Sequence, residues 1–285
     1  MTADRVSIVV ATRNRSAIAY TKAQWALVQK ECIEAIFVVD GAEDDTAARL
    51  SHLAETDARL RVVVLPRQSG LPGARNAGIR VATGDWVLLI DDDDTASEGM
   101  LGAMLATAQA AKASIVGAPW FNLTGGQDVA TFIEQAPRRP GGPALERPGI
   151  FPQQEWEECL WLPANALFRR SLFDDVHFDE GYRINFYRED TDFMVSSARA
   201  GHRVVVTSGA YTYLRQRVGG GVERRSRLRY EYWALRNNWR FLRKHGRWLR
   251  ERGDLRGPVR EQIAFAVRRA RPLLRSAGRR LIRVH

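Results

Sequence analysis

The 285-residue chain has only two cysteines, Cys32 and Cys159, far apart and in no CxxC or Cys/His ligand spacing. Neither a disulfide framework nor a zinc site is expected, and a reducing, cytoplasmic setting suits such a chain. Charges interrupt every hydrophobic segment well short of the roughly 18 to 20 continuous apolar residues that crossing a bilayer takes. Residues Met1 to Asp4 lead straight into a short apolar run, without the basic, apolar and small-residue regions of a signal peptide, so export is not expected. No internal repeat is visible. At this length a substantial core can be buried without covalent staples.

Charge is unevenly divided. Beyond Leu214 there are 22 Lys+Arg against 5 Asp+Glu, net +17, whereas residues 1–214 hold 21 against 28, net −7. An acidic body carrying a basic segment implies that the segment seeks a polyanion, either a membrane surface or a nucleic acid.

Val6 to Ala11 is a continuous β-branched apolar run, too short for a helix, as expected of a strand covered on both faces. Similar runs recur at 35–39, 61–65, 86–90 and 114–118 with helix-compatible segments between them. This alternation predicts an α/β fold with a mostly parallel sheet flanked by helices. Another strand is expected over 164–168, a helix over 189–200 and a strand over 203–206, behind a helix stop at Gly201. Residues 134–152, with five prolines and three glycines, read as a long loop near the site. The first domain is expected to span 1–214, followed by a basic helical extension at 215–285. Within that extension 226–244 is helix-compatible. Over 262–282, Ile263, Val267, Ala270, Leu274, Ala277 and Leu281 follow steps of four and three, the pattern of an amphipathic helix, bent or broken near Pro272.

Ligands of open parallel sheets bind beyond the carboxyl ends of the strands. Those ends are polar here: Thr12-Arg13-Asn14 after the first run, Asp40 after the second, and Asp91 to Asp94 after 86–90. Four adjacent carboxylates repel one another unless a cation or hydrogen-bond donors compensate them. Carboxylate oxygens suit Mg²⁺ or Mn²⁺, and Mg²⁺ needs only one or two of them when substrate phosphates fill its shell. The other reading is a solvated acidic turn capping a helix that starts near Ser97. Within Gly70 to Gly78, Pro72 and Gly73 open a helix from which Arg75 can face the charge at the strand ends.

Four segments, VSIVVATRNR at 6–15, VVDGAEDDT at 38–46, GLPGARNAGIRVATGDWVLLIDDDD at 70–94 and REDTDF at 188–193, resemble the family 2 glycosyltransferases in order and spacing, over about residues 5–215. The resemblance implies a GT-A-like domain, its nucleotide-binding part at 1–119 and its acceptor-binding part at 120–214. It also implies an inverting, metal-dependent transfer of a sugar from a UDP- or dTDP-sugar to an acceptor hydroxyl, in polysaccharide or lipid-linked glycan synthesis. Carried over motif by motif, Thr12 and Asp40 would hold the donor base, with Arg13 beside them in the donor set. Arg75 would approach the base or diphosphate, Asp91 the ribose, Asp92 the sugar, and Asp93 the Mg²⁺ or Mn²⁺ bridging the diphosphate. Asp190 would take the proton of the acceptor hydroxyl, a task worth ~10² to 10⁴-fold when a carboxylate is well positioned. Glu189-Asp190 also reads as a plain helix cap. Asp94 is an additional acid without an assigned role. The chain departs from the pattern at Glu43, where serine is usual, and at Tyr211-Thr-Tyr213, where a histidine metal ligand is common. Trp161, Asn165, Tyr187 and Glu189 are candidate acceptor contacts, since aromatic faces stack on sugar rings; core packing is the alternative for the aromatics. His177 and His202 read as structural.

The basic helix over 262–283 suits an anionic membrane surface, such as the inner face of the plasma membrane. Packing on the α/β domain with solvated arginines is a second reading. Nucleic-acid binding through Arg268-Arg269 and Arg279-Arg280 is a third, without any zinc-finger or RNP signature. Glycosylation of a small natural product, and a catalytically silent protein of the same fold, stay open. A nucleotidyltransferase would need a Gly-rich triphosphate loop where this chain has ATRNR.

Overall fold

The computed structural model describes residues 5–124, 126–140, 149–163, 165–215 and 226–281, with 271–281 as backbone alone. Part of the loop expected over 134–152, namely 141–148, lies outside the described residues, as do Ala164 and the end of the basic stretch. In chain order the elements begin with β1 (Val6–Thr12), α1 (Ser16–Leu27), β2 (Cys32–Asp40), α2 (Thr46–Ala54), β3 (Leu60–Leu65), α3 (Leu71–Val81) and β4 (Trp86–Leu89). Next come β5 (Thr95–Ala96), α4 (Met100–Ala111), β6 (Ile115–Gly117), β7 (Trp120–Asn122), α5 (Val129–Gln135), β8 (Arg138–Arg139), β9 (Phe151–Pro152) and β10 (Trp156–Glu158). After β11 (Ala166–Arg169) and a 3-10 turn at Arg170–Asp174, the chain closes with α6 (Glu189–Arg199), β12 (Val204–Thr207), β13 (Thr212–Leu214), α7 (Arg227–Glu251) and α8 (Pro258–Leu281).

The main sheet runs β10-β12-β6-β11-β4-β1-β2-β3. The block β4-β1-β2-β3 is parallel throughout, and β12 is parallel to β6. The antiparallel members are β11, wedged between β4 and β6, and β10 on β12. Alternate residues serve opposite layers: Ile8, Val10, Phe37 and Val39 pack with α1 and α4, whereas Val9, Ile36 and Val38 pack with α3 and α6. Two-sided burial is why these strands read as unbroken apolar runs. Each such side chain contributes about 1.5–3 kcal/mol by leaving water. At Gly78 helix α3 approaches the sheet so closely that a Cβ would collide with Val9 and Val38, which fixes where Arg75 stands.

The acidic run after β4 does not cap a helix. Thr95–Ala96 instead joins a small sheet, β5-β13-β7, and α4 starts only at Met100.

The basic extension packs on the α/β domain. Phe241, Leu242 and Leu249 of α7 share a cluster with Tyr182 and Val195, and α8 returns along α7, where Asn238 Nδ2 donates to Gln262 Oε1 at 2.7 Å. Pro272 does not end α8, which continues to Leu281, because losing one backbone donor leaves the rest of the ladder in place. Packing buries Phe265 but leaves Val259, Ile263 and Val267 61%, 60% and 47% exposed. Among the described residues no helix is long and apolar enough to cross a membrane.

Candidate functional site

Strand β1 lies between β2 on one side and β4 on the other, the point where an open sheet leaves a crevice beyond its strand ends. Every carboxylate of the acidic run is compensated there by a neighbouring side chain. Asp91, half-exposed, receives Arg75 Nη2 at 3.0 Å. Asp92 is buried and accepts Thr12 Oγ1 at 2.7 Å and Arg15 Nη1 at 2.5 Å; the same Nη1 lies 2.9 Å from Asp93 Oδ2. Asp94 accepts Trp120 Nε1 at 2.9 Å and Asn165 Nδ2, and its backbone carbonyl accepts Lys22 Nζ. Burial pushes Asp94 up to about 7 and also raises Asp92, with Arg15 pulling the latter back; burial lowers Lys22. Among the described residues no three His, Cys, Asp or Glu side chains gather into a metal cage. Asp91, half-exposed, and Asp93, partly exposed, offer oxygen ligands of the kind a hard dication takes when phosphates supply the rest of its shell. The rings of Tyr211 and Tyr213, where a histidine is common in the family pattern, pack against Phe121 at 5.9 and 5.8 Å.

A second acidic pair meets the first through one guanidinium. Arg75, buried over the Phe178 ring, donates through Nη1 to Glu189 Oε1 at 2.6 Å as well as to Asp91. Burial pulls Arg75 down, but Glu189 and Asp91 outweigh it and leave the cation above its ordinary range. Burial drives Glu189 up to about 8 against the pull of Arg75, and Glu189 Oε2 is buried with no hydrogen-bond partner. Asp190 is likewise raised by burial; its Oδ1 accepts the Thr191 N–H at 2.7 Å, and the indole N–H of Trp161 faces it without closing a hydrogen bond.

The segment leading into α6 is strained. Ile184, Phe186 and Arg188 have φ of 69°, 50° and 74°, a left-handed region costing non-glycine residues roughly 1–2 kcal/mol each. Such strain persists where the surroundings over-determine it. Helix α7 does so: Asn237 Nδ2 donates to Arg183 O and Asn185 Oδ1, both at 3.0 Å, Asn185 Nδ2 donates to Tyr230 O at 2.9 Å, and Arg188 Nε donates to Asn238 Oδ1 at 3.3 Å. One turn further, fully buried Asp192 accepts Tyr182 Oη at 3.0 Å, Lys244 Nζ at 2.6 Å and His245 Nε2 at 2.9 Å. His245 Nδ1 faces Arg199 Nη1 at 3.2 Å, and since arginine only donates, the imidazole carries its hydrogen on Nε2. Burial would raise Asp192, but His245 and Lys244 outweigh it and hold the carboxyl below its ordinary range.

Residues 7–177 match glycosyl transferase family 2, well over half of the chain. The chain belongs to that family. It is 30% identical over 261 residues to the succinoglycan biosynthesis protein ExoO of Rhizobium meliloti, covering 84% of this chain and 68% of ExoO. With the uncharacterized glycosyltransferase EpsJ of Bacillus subtilis it shares 30% identity over 187 residues, 64% of this chain and 52% of EpsJ, so it spans about half the length of that relative. Among solved structures, S. aureus TarS 1–349 in complex with UDP-GlcNAc superimposes with a TM-score of 0.60 at 19% identity, over 83% of this chain and 65% of that one. The architecture is the GT-A fold, as the resemblance to family 2 implies, and its mostly parallel sheet is the one the alternation of strands and helices predicts.

Within this family 2 chain, Thr12, Asp91, Asp92, Asp93, Arg75, Glu189 and Asp190 come together at one strand edge, with Trp161 beside Asp190. Asp40 stands at the end of β2 with its carboxylate holding Ser69 N–H at 2.6 Å, Ser69 Oγ at 2.8 Å and Gly70 N–H at 2.9 Å, which steadies the turn into α3. Arg13 reaches Gly41 O at 3.4 Å and forms a 3.6 Å ion pair with Glu43, the residue in the usual serine position. Asn165 is buried and braces both ends of the acidic run, since its Oδ1 also accepts the Asp91 N–H at 3.0 Å. Tyr187 spends its ring on Phe265 of α8 at 5.2 Å. Arg15, Lys22 and Trp120 are contacts of the acidic run that sequence reasoning missed. The signal for the first two was their seven-residue separation, which puts Arg15 at the cap of α1 and Lys22 on the same face two turns on.

Proposed function

We propose that this chain is an inverting glycosyltransferase that moves a sugar from a UDP- or dTDP-sugar to a hydroxyl of a polysaccharide or lipid-linked glycan, using Mg²⁺ or Mn²⁺. The observation that carries the reading is Arg75, which joins Asp91 at the end of β4 to Glu189 beside Asp190, so that a donor-side acidic run and a buried carboxylate of raised pKa share one guanidinium. Asp190 takes the hydroxyl proton as the acceptor oxygen attacks, and the unpartnered Glu189 Oε2 receives a neighbouring acceptor hydroxyl. Thr12 and Asp92 line the donor side, and Asp93 would hold the divalent cation. When bound, that cation offsets the charge that builds on the departing diphosphate. A base and a leaving group on opposite sides of the anomeric carbon give inversion. Similarity to ExoO supports a polysaccharide product, and the TarS complex supports a uridine donor.

Nucleoside-diphosphate release from UDP-, dTDP- and GDP-sugars, with Mg²⁺ or Mn²⁺ and with or without chelator, tests the reading. One donor should turn over only with metal, and Asp93→Ala should lower the rate by ~10² to 10³-fold, the usual cost of losing charge stabilisation at the leaving group. A parent protein that binds no nucleotide sugar in the presence of metal would sink it.

The same reading places the exposed Val259, Ile263 and Val267, flanked by Arg256, Arg260 and Arg268, on an anionic leaflet, where apolar burial and charge act together. Cosedimentation with vesicles rich in anionic phospholipid should fall about tenfold or more in Ile263→Asp/Val267→Asp, and in the parent when the vesicles are neutral. Equal binding by parent and double variant would exclude this surface.

A further inference from the structure

Arg15 stands out because one nitrogen serves two carboxylates. Its Nη1 lies 2.5 Å from Asp92 Oδ1 and 2.9 Å from Asp93 Oδ2, with the side chain only 13% exposed. The other acids of the run are held differently: Asp91 by Arg75, and Asp94 by the neutral donors Trp120 and Asn165 at its carboxylate and by Lys22 at its backbone carbonyl. Removing the guanidinium from between Asp92 and Asp93 would leave adjacent negative charges facing each other, so Arg15 performs the task a bound cation would otherwise perform. Arginine does not lose its proton in proteins, so this positive charge leaves only by moving. Asp93, which holds this guanidinium, would also hold a dication, and the two positive charges would repel. A diphosphate is an acceptor suited to the planar fork of donors on arginine. Arg15 also stands at the N-cap position of α1, with no capping bond from its side chain, and the positive end of that helix favours an anion at the same place.

We propose that Arg15 is an internal countercation that occupies the acidic site in the donor-free protein and transfers to the diphosphate when a nucleoside diphosphate enters with a divalent cation. The inference rests on the donor reading above and adds a sign to it. Metal alone competes with Arg15 and binds weakly. Metal together with diphosphate gives the guanidinium a new partner, so the two ligands bind cooperatively through this one side chain.

Binding measurements without turnover decide it. Mn²⁺ affinity is measured by electron paramagnetic resonance, and UDP, dTDP and inorganic pyrophosphate affinities by calorimetry, in the parent, Arg15→Met and Arg15→Lys. In the parent, diphosphate should tighten Mn²⁺ binding by about 5- to 150-fold, the range of ordinary coupling between sites. In Arg15→Met, Mn²⁺ alone should bind about tenfold more tightly, while diphosphate affinity at saturating Mn²⁺ falls about tenfold and the coupling shrinks accordingly. Arg15→Lys keeps the charge but not the fork, and should compete with Mn²⁺ like the parent while binding pyrophosphate less well. If Arg15→Met folds poorly, Arg15→Gln carries the same expectation. Unchanged or weaker Mn²⁺ binding in these neutral variants overturns the countercation, and unchanged diphosphate affinity overturns the transfer. A parent that binds neither Mn²⁺ nor any diphosphate overturns the donor reading, and the inference with it.

Discussion

Asp190→Asn is expected to lower turnover by ~10² to 10⁴-fold while leaving donor affinity within about twofold. The substitution is nearly isosteric, and the amide oxygen it introduces would still accept the Thr191 N–H, so the start of α6 keeps its geometry. What disappears is the ability to take a proton. The pH dependence adds a second readout with a defined sign. The base works deprotonated, and burial raises its pKa, so kcat/KM should fall as the pH drops through a value above the ~3.9 of an ordinary aspartate. Glu189 provides the contrast, because its carboxyl is pushed up to about 8. An acidic limb near 8 that survives in Asp190→Asn would transfer the base role to Glu189, and parent-like turnover in Asp190→Asn would end the assignment to Asp190.

The parallel half of the sheet and the acidic run were legible because both are local patterns: apolar runs of strand length, and charges at their carboxyl ends. Residues such as Asp91 and Glu189, 98 positions apart, could be placed together only through resemblance, since nothing local connects them. The antiparallel insertion of β11 between β4 and β6 was not legible, because an apolar run carries no sign of its direction. Asn165 stands among the candidate acceptor contacts, and the clamp it forms on Asp91 and Asp94 depends on that same insertion. Arg15 was hidden for a different reason: nothing in the polar run Thr12-Arg13-Asn14-Arg15 distinguishes its members, and only the folded crevice shows which of them reach Asp92 and Asp93. The tail's composition carries no sign of how it packs. Its arginines dominate the count, yet the side chains that fix α7 in place are Asn237, Asn238, Lys244 and His245.

Those contacts make the basic extension part of the support of α6, the helix that carries Glu189 and Asp190, and Asp192 is where this can be tested most directly. Asp192→Ala is expected to lower unfolding stability by about 3 kcal/mol, the low end of the 3–5 kcal/mol for breaking a buried ion pair, because Lys244 is 39% exposed and can turn to water. His245 cannot: fully buried, it keeps an Nε2–H with no acceptor in the variant. Lys244→Met leaves the buried carboxylate with the Tyr182 and His245 donors, and should cost less than Asp192→Ala. The parent should show the same dependence in its acid response. The folded carboxyl lies below the unfolded value of ~3.9, so its contribution is full above about pH 4 and is lost as pH falls through the folded pKa. Asp192→Ala should flatten that part of the stability curve. Because α7 also braces the strained backbone at Ile184, Phe186 and Arg188, loosening it should release the segment that presents Glu189 and Asp190, and kcat should drop more than donor affinity even where the variant remains folded. Denaturant titration across pH, paired with kcat and donor affinity at a temperature where the variant is native, separates the outcomes. A variant as stable as the parent would show that the apolar cluster of Tyr182, Val195, Phe241, Leu242 and Leu249 holds α7 without the charge network. A destabilised variant with unchanged kcat would show that the strained segment keeps its shape without help from α7.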